Sequence, residues 1–337
     1  MPARPQRPPR VLIVYNQPVL PPGHPDFLSE NDILETVEEV AKVLPTDQFE
    51  VDRLGYARDP RVLIDKVRAW QPDVVFNLFE GEADRTETEV YHAALLEWAG
   101  VPFTGSPSFA LALGRDKVRT KHLLRGAGLA TAAFQVVESQ GAPPWPHRWP
   151  AIVKPACQDA SVGIDQGSVV KTQPELDARV AHVFKKYGGP VLVEEFIPGR
   201  EFHVHVIDDA DGQPVVLPPT EIRFEAGPGY WPIYTFEGKW NEQSVEYKST
   251  PYDTAVELPS PVREQVADIC TAAYRLIGMR DYGRVDLRVT PEGKAYVLEA
   301  NPNPYLNNLA LVEGLKRAGR SYGEFVQMMV RRALTRR

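Results

Sequence analysis

Near the C-terminal end of the chain two carboxylates and an amide oxygen stand close together in sequence: Asp286 within Arg284-Val-Asp286-Leu-Arg288, then Glu299 and Asn301 within Glu299-Ala-Asn301. Val285–Val289 and Lys294–Glu299 read as the strands of a hairpin turned at Pro291-Glu292-Gly293. Side chains alternate along a strand, so Arg284, Asp286 and Arg288 share one face, and Glu299 shares one with Asn301. Two carboxylates and an amide are hard oxygen donors, of the kind that hold Mg²⁺ jointly with phosphate oxygens. Arg284 beside them suits the charge on a transferring phosphoryl group. The competing reading, a solvated face of cross-strand salt pairs, leaves the irregular stretch Asn301-Pro-Asn-Pro304 unexplained.

Two further groups fit the same chemistry. Lys154 ends an apolar strand, where a lysine is costly unless an anion meets it, and a loop to Gly163 follows. In that loop Ser161 and Gly163 could let backbone N–H groups approach phosphate oxygens. The alternative is a strand-end lysine reaching out to water. Glu194 and Glu201 flank Glu195-Phe196-Ile197-Pro198-Gly199-Arg200, an apolar hinge suited to a flat base, with a carboxylate suited to a ribose diol. Taken alone, that segment also reads as a strand–turn–strand with two solvated glutamates. Neither a G-x-x-x-x-G-K-[ST] loop nor a strand-linked G-x-G-x-x-G is present, so another device must hold any nucleotide.

The elements that must position these groups fall into two patterns. Up to about residue 112, strands at Arg10–Tyr15, Phe49–Leu54 and Asp73–Leu78 alternate with helices. Ser29 can cap the first helix, Val62–Trp70 forms the second, and Glu89–Ala99 the third, stopped by Gly100. This alternation argues for a parallel, doubly wound α/β domain. The pattern then changes to helices at Asp116–Arg125, Pro174–Tyr187 and Ser260–Ile277, with strands at Ala151–Lys154, Val191–Phe196 and Glu201–Ile207. Asp208–Pro259 is loop-rich, and a helix from Tyr322 closes the chain. Trp231, Trp240, Tyr230 and Tyr234 are read as core of the loop-rich region, although they could line a substrate pocket.

At 337 residues the chain is too long for one ordinary core. With 43% hydrophobic and 25% charged residues and a net charge of −7, bulk charge favours neither a nucleic-acid nor a membrane partner. Residues 1–10 are basic and proline-rich and read as a disordered leader. The two cysteines, Cys157 and Cys270, fit no metal spacing, which points to a reducing, cytoplasmic setting. His203 and His205 alternate on one strand without an evident third ligand.

Taken in order, the segments resemble the ATP-grasp superfamily, and within it the D-alanine–D-alanine ligases, from Val11 to about Leu334. The carrying residues are Phe103-Thr-Gly-Ser106, Asp116-Lys117 with Thr120-Lys121, Gly128-Leu129, Val153-Lys-Pro155, Ser161-Val-Gly163, Glu194 to Glu201, Gly283-Arg-Val-Asp286 and Leu298-Glu-Ala-Asn301. The resemblance implies a doubly wound domain over 11–112, a small central ATP-grasp lobe over 113–198, and a C-terminal lobe over 199–337 that carries the metal and catalytic residues. It implies ATP and Mg²⁺ as cofactors, usually two ions, with Mn²⁺ as an alternative. Lys117 and Lys154 would hold phosphates; Glu194, Glu195, Phe196 and Ile197 would meet adenine, and Glu201 the ribose. Asp286, Glu299 and Asn301 would bind metal. Arg284 would stabilise the acyl phosphate and the tetrahedral intermediate, and Lys239 would contact the γ-phosphate. Ser161 would sit in the loop over the phosphates, and Glu30 would meet the first substrate's amino group. Small-molecule carboxylate and amine substrates follow, and a homodimer is the expectation carried by the family.

The departures lie where the substrates belong. Tyr305 stands at the family's oxyanion-hole glycine, Ala310 at a serine that meets the product carboxylate, Trp240 at a tyrosine and Ala160 at a loop serine. Phe79–Asp84 replaces a Gly-rich, His-containing loop. The ATP and metal set is complete while the D-alanine set is altered, which suits another amino acid, a peptide or another amine. A regulatory ATP-binding protein of the same fold is the alternative, but it could dispense with Arg284, Asp286, Glu299 and Asn301, all of which are kept.

Overall fold

The computed structural model describes residues 7–22, 24, 27–82, 85–139, 141–157 and 161–336. The first unit is β1 (Arg10–Asn16), α1 (Phe27–Val43), β2 (Glu50–Tyr56), α2 (Arg61–Trp70), β3 (Val74–Leu78) and α3 (Thr88–Trp98). Its strands form a parallel sheet in the order β2-β1-β3. β1 shows why it is wound on both faces. Val11 and Ile13 enter one core while Leu12 and Val14 enter the other, and all four are fully buried. α2 and α3 cover the second core through Leu63, Ala93 and Leu96.

Two connecting helices follow, α4 (Ser108–Arg115) and α5 (Lys117–Gly126), the latter capped by Asp116, which accepts from the Arg119 N–H at 2.9 Å. The small sheet is built from β4 (Phe134–Val137), β5 (Ala151–Pro155), β6 (Val169–Val170) and β7 (Val191–Glu195). It is antiparallel in the order β4-β7-β5-β6 and packs on α6 (Gln173–Tyr187). The large sheet contains β8 (Arg200–Asp208), β9 (Pro214–Val216), β10 (Thr220–Ile222), β11 (Tyr252–Asp253), β12 (Tyr282–Val289) and β13 (Ala295–Asn301). Its antiparallel order is β11-β10-β8-β12-β13, with β9 paired to β8. The short helices α7 (Phe236–Trp240) and α8 (Val245–Lys248) precede β11, and α9 (Ser260–Ile277) backs the sheet. α10 (Leu309–Arg317) and α11 (Tyr322–Leu334) end the chain.

β7 passes to β8 through the hinge at Pro198-Gly199. Gly199 has φ 134°, and a Cβ there would lie 2.1 Å from the Val289 carbonyl oxygen, so only glycine fits this crossing.

Several expectations change. α1 begins at Phe27, which places Ser29 within its first turn rather than before it. Within the expected leader, residues 1–6 lie outside the described residues, but Arg10 opens β1 and Arg7 donates to Asp73 at 2.7 Å. α11 packs on the first sheet as well as on the large-sheet lobe. Val326, Met329 and Val330 are fully buried in the core that α1 shares with β1 and β3. At about 1.5–3 kcal/mol for each fully buried side chain, this helix is bound to the first sheet in energy as well as in space. Asp281 strengthens that union: it accepts from the Gly105 N–H at 2.8 Å and from Arg336 Nη1 at 2.9 Å, and its own N–H donates to Asp208 at 2.9 Å.

Candidate active site

The candidate residues fall into rows across three strands. In the β8–β12–β13 register, Arg284 lies between His205 and Asn301, and Asp286 between His203 and Glu299; Arg288 lies opposite Glu201 on β8. The expected sharing of one face is therefore a cross-strand arrangement, with a register shift just after Asp286 that accommodates it. Arg284 grips Asp286 with a fork, Nε to Oδ1 at 2.7 Å and Nη2 to Oδ2 at 2.9 Å. The Asn301 amide donates to Asp286 Oδ2 at 3.0 Å. Glu299 accepts from Lys117 Nζ, at the start of α5, at 2.8 Å.

Asp286, Glu299 and Asn301 thus present hard oxygens on directly opposed strands, two of them carboxylates already neutralised by cations. That donor chemistry fits Mg²⁺. Among the described residues no group of three His, Cys, Asp or Glu side chains is placed to hold an ion, so a metal here must share its coordination with phosphate or water. His203 and His205 are buried, and burial, together with the nearby Arg284 charge, drives both far below the ordinary histidine range; they stand as neutral imidazoles beside the acids. His203 Nε2 is 3.7 Å from Asp286 Oδ2.

The small sheet faces this row. Lys154 on β5 and Lys121 on α5 both pair with Glu194 on β7, whose side chain is 2% exposed. Burial alone would raise the Glu194 carboxyl, but Lys121 and Lys154 outweigh it and hold the group below its usual range. The same opposition holds at Glu299, which Lys117 and Lys154 keep ionised against burial and against Asp286. The field of Lys154 therefore spans both lobes. Lys121 belongs to the site although its type alone assigns it no role. The available signal was spacing: it lies four residues after Lys117, one helical turn along the same face.

The hinge residues hold the small sheet in place. Glu195 N–H donates to Ala133 O at 2.8 Å, Phe196 N–H donates to Pro150 O at 3.0 Å, and the Ile197 carbonyl accepts from Arg288 at 2.8 Å. Glu201 is paired to Arg288. In the loop after Lys154, Ser161 takes a positive φ of 63°, and Gly163 O accepts from Arg179 on α6 at 2.9 Å. Ala160 lies outside the described residues. Lys239 in α7 lies over the Trp240 ring at 5.2 Å and is close enough to His203 to help depress it.

The region around Glu30, Glu80 and Tyr305 is different. Glu30 Oε2 accepts from the N–H groups of Val19 and Leu20 at 2.9 and 2.8 Å, while Oε1 is buried and meets no donor among the described residues. Glu80, after β3, is pushed up to about 8 by burial and by Glu89 and Asp32. Tyr305 donates to the Asp32 carbonyl at 3.0 Å, tying the Asn-Pro segment to α1. Of the loop that contains Glu80, Ala83 and Asp84 lie outside the described residues. The reading of the aromatics as core holds in part: Trp231 packs edge-on against Phe196 at 5.4 Å and Tyr234 bonds Tyr252 at 2.8 Å, but Tyr230 and Trp240 are exposed.

Two antiparallel lobes clamped across a hinge, with lysines from one and metal-type acids from the other, define an ATP-grasp ligase. The backbone as a whole superposes on a crystal structure of D-alanine–D-alanine ligase from Bacillus anthracis complexed with ATP, with a TM-score of 0.73, 21% identity and 97% of both chains covered. The family model described as "D-ala D-ala ligase C-terminus" matches residues 123–331. The D-alanine–D-alanine ligase of Geobacter sulfurreducens is 31% identical over 298 residues, 86% of each chain. An uncharacterized protein, y4sG, of Sinorhizobium fredii is 35% identical over 75% of this chain and 72% of its own. The chain belongs to the D-alanine–D-alanine ligase family. It is an ATP-dependent, ADP-forming enzyme that joins a carboxylate to an amine with the aid of a divalent metal. Among the described residues no helix is long and apolar enough to cross a membrane.

Proposed function

We propose that the enzyme forms an amide between an amino-acid or small-peptide carboxylate and an amine other than a second D-alanine, by way of an acyl phosphate. The observation that carries this reading is the contrast between an intact Arg284–Asp286–Asn301–Glu299–Lys117 row and a changed substrate side at Glu80, Tyr305 and Ala310. Lys117, Lys154 and Lys239 bind and orient the nucleotide phosphates, and Ser161 lies in the loop that covers them. The hinge Glu195-Phe196-Ile197, with Glu194 behind it, receives the base, and Glu201 the ribose. Asp286, Glu299 and Asn301 hold the metal, taken as two Mg²⁺ with Mn²⁺ as the alternative ion; its contribution is to neutralise phosphate charge.

Arg284 offers a preorganised cation to the oxyanion that develops when the amine attacks the acyl carbon. Glu30 Oε1 is available to accept from the first substrate's ammonium, fixing that substrate's carboxylate toward the phosphates. Small-molecule substrates, a cytoplasmic setting and a homodimer complete the reading.

The test is phosphate release from ATP and Mg²⁺ over a panel of D- and L-amino acids, dipeptides and simple amines, with mass spectrometry of the products. One new amide per ADP and phosphate, formed with an amine other than D-alanine, is the expected result. D-alanyl-D-alanine as the main product would overturn the substrate assignment. ATP binding without turnover across the panel would favour the regulatory alternative.

A further inference from the structure

Arg288 lies on the same face as Arg284 and Asp286, yet the reaction set out above gives it no task. It is 3% exposed and surrounded by acceptors. Nε and Nη2 both reach Glu201 Oε2, at 2.9 and 2.8 Å. Nη1 donates to the Ile197 carbonyl at 2.8 Å, and Nη2 donates to the Pro232 carbonyl as well. The guanidinium carbon lies 4.8 Å from the centroid of the Phe196 ring and 5.8 Å from that of Phe224. One side chain therefore joins the hinge, the carboxylate at the start of β8 and the segment that leads to α7.

The shape of the Glu201 contact is informative. A guanidinium and a carboxylate that serve only to hold strands together commonly meet as a two-oxygen fork, as Arg200 on β8 and Glu221 on β10 do. Here both donors converge on Oε2, which leaves Oε1 to a donor from the nucleotide side. The cation is well matched where it lies, because a buried guanidinium costs several kcal/mol unless acceptors surround it.

We propose that Arg288 is a positioning residue for nucleotide recognition. It fixes the Glu201 carboxylate so that Oε1 accepts from the ribose hydroxyls, and it locks the Ile197 carbonyl so that hinge and carboxylate keep one spacing. The ability to tell ATP from its deoxy analogues is then set by Arg288 through Glu201. This inference rests on the assignment of Glu201 to the ribose.

The experiment measures kcat and KM for ATP, 2′-deoxy-ATP and 3′-deoxy-ATP in the full-length enzyme and in Arg288→Met, Arg288→Lys and Glu201→Gln, with melting temperatures alongside. A hydrogen bond to a charged group is worth roughly 10- to 100-fold in affinity. Arg288→Met is therefore expected to raise KM for ATP about tenfold or more, leave KM for the sensitive deoxy analogue within about twofold, and change kcat little. Arg288→Lys keeps the charge but cannot span three acceptors, and is expected to fall between wild type and Arg288→Met. It also keeps the question open if the methionine variant does not fold. An ATP-to-deoxy-ATP ratio unchanged in either folded Arg288 variant, while Glu201→Gln collapses it, would overturn the proposal and leave Arg288 a purely structural group. A ratio unchanged in Glu201→Gln would overturn the ribose assignment instead, and the proposal with it.

Discussion

Two regions of the candidate site handle charge in opposite ways. On the nucleotide side cations meet anions inside the protein: Lys121 and Lys154 share Glu194, Lys117 meets Glu299, Arg284 meets Asp286 and Arg288 meets Glu201. On the substrate side acids crowd one another, and burial with Glu89 and Asp32 nearby pushes Glu80 up to about 8. A balanced pocket is set before the ligand arrives, and the groups it presents need little reorganisation. An unbalanced one is completed by the ligand, and excess negative charge is completed by an ammonium. On the assignments proposed above, the difference teaches where selectivity lies: the first region defines the chemistry, and the second defines the molecule on which it is done.

The comparison is broken most sharply at its balanced end. Glu299→Ala should reduce Mg²⁺-dependent turnover below detection and release Lys117 from that carboxylate. A magnesium titration of product formation measures this, and wild-type activity in the variant would remove Glu299 from the proposed metal site. Glu194→Ala should cost about 3–5 kcal/mol of stability, because Lys121, 2% exposed, is left with a buried and uncompensated charge. Chemical denaturation reads that cost. A loss below about 1 kcal/mol would mean that the Lys121–Glu194–Lys154 group behaves as a solvated pair.

What could be read from the sequence follows the same division. The grouping of Arg284, Asp286, Glu299 and Asn301 was legible because alternation is a strict rule of strands, and these residues needed only the correct pairing of β12 with β13 to meet. The parallel first sheet was legible from apolar runs such as Val11–Val14. What was not legible depended on distant packing. No local pattern marks α11 as a cover for β1 and β3, since its apolar face would suit either sheet. The place of Ser29 within α1 was missed because its capping chemistry is also tolerated inside a first turn. The partner of Arg288 was hidden because it comes from β8, 87 residues earlier in the chain.

At the unbalanced end the effects are smaller and concern choice. Tyr305 fills the space between the Asn-Pro segment and α1 and bonds the Asp32 carbonyl. Tyr305→Gly should remove that bulk and move the substrate profile toward D-alanine, by about tenfold in relative kcat/KM, the size of effect that one pocket contact carries. Competition between D-alanine and the preferred amine, resolved by mass spectrometry, checks it. An unchanged profile would mean that this residue does not shape the acceptor site.

The smallest effect is on stability, and it isolates the acidic side from catalysis. Glu80 has a folded value of about 8 against an ordinary value of 4.5, so the folded protein keeps a proton that the unfolded chain has released. Stability from this group is therefore greatest at or below pH 4.5, falls as pH rises from about 4.5 to 8, and stays at its lower level above that. Glu80→Gln cannot ionise and should abolish that slope. The variant should match wild type near pH 4.5 and exceed it at pH 8 and above, with the gap opening as pH rises between the two. Melting curves across that range in the absence of substrate give the answer. If the two proteins keep a constant difference at every pH, Glu80 is an ordinary exposed acid and the crowding with Glu89 and Asp32 does not act. If the difference opens with pH and then closes when the true amine substrate is added, the missing counter-charge on this side is the substrate's own ammonium.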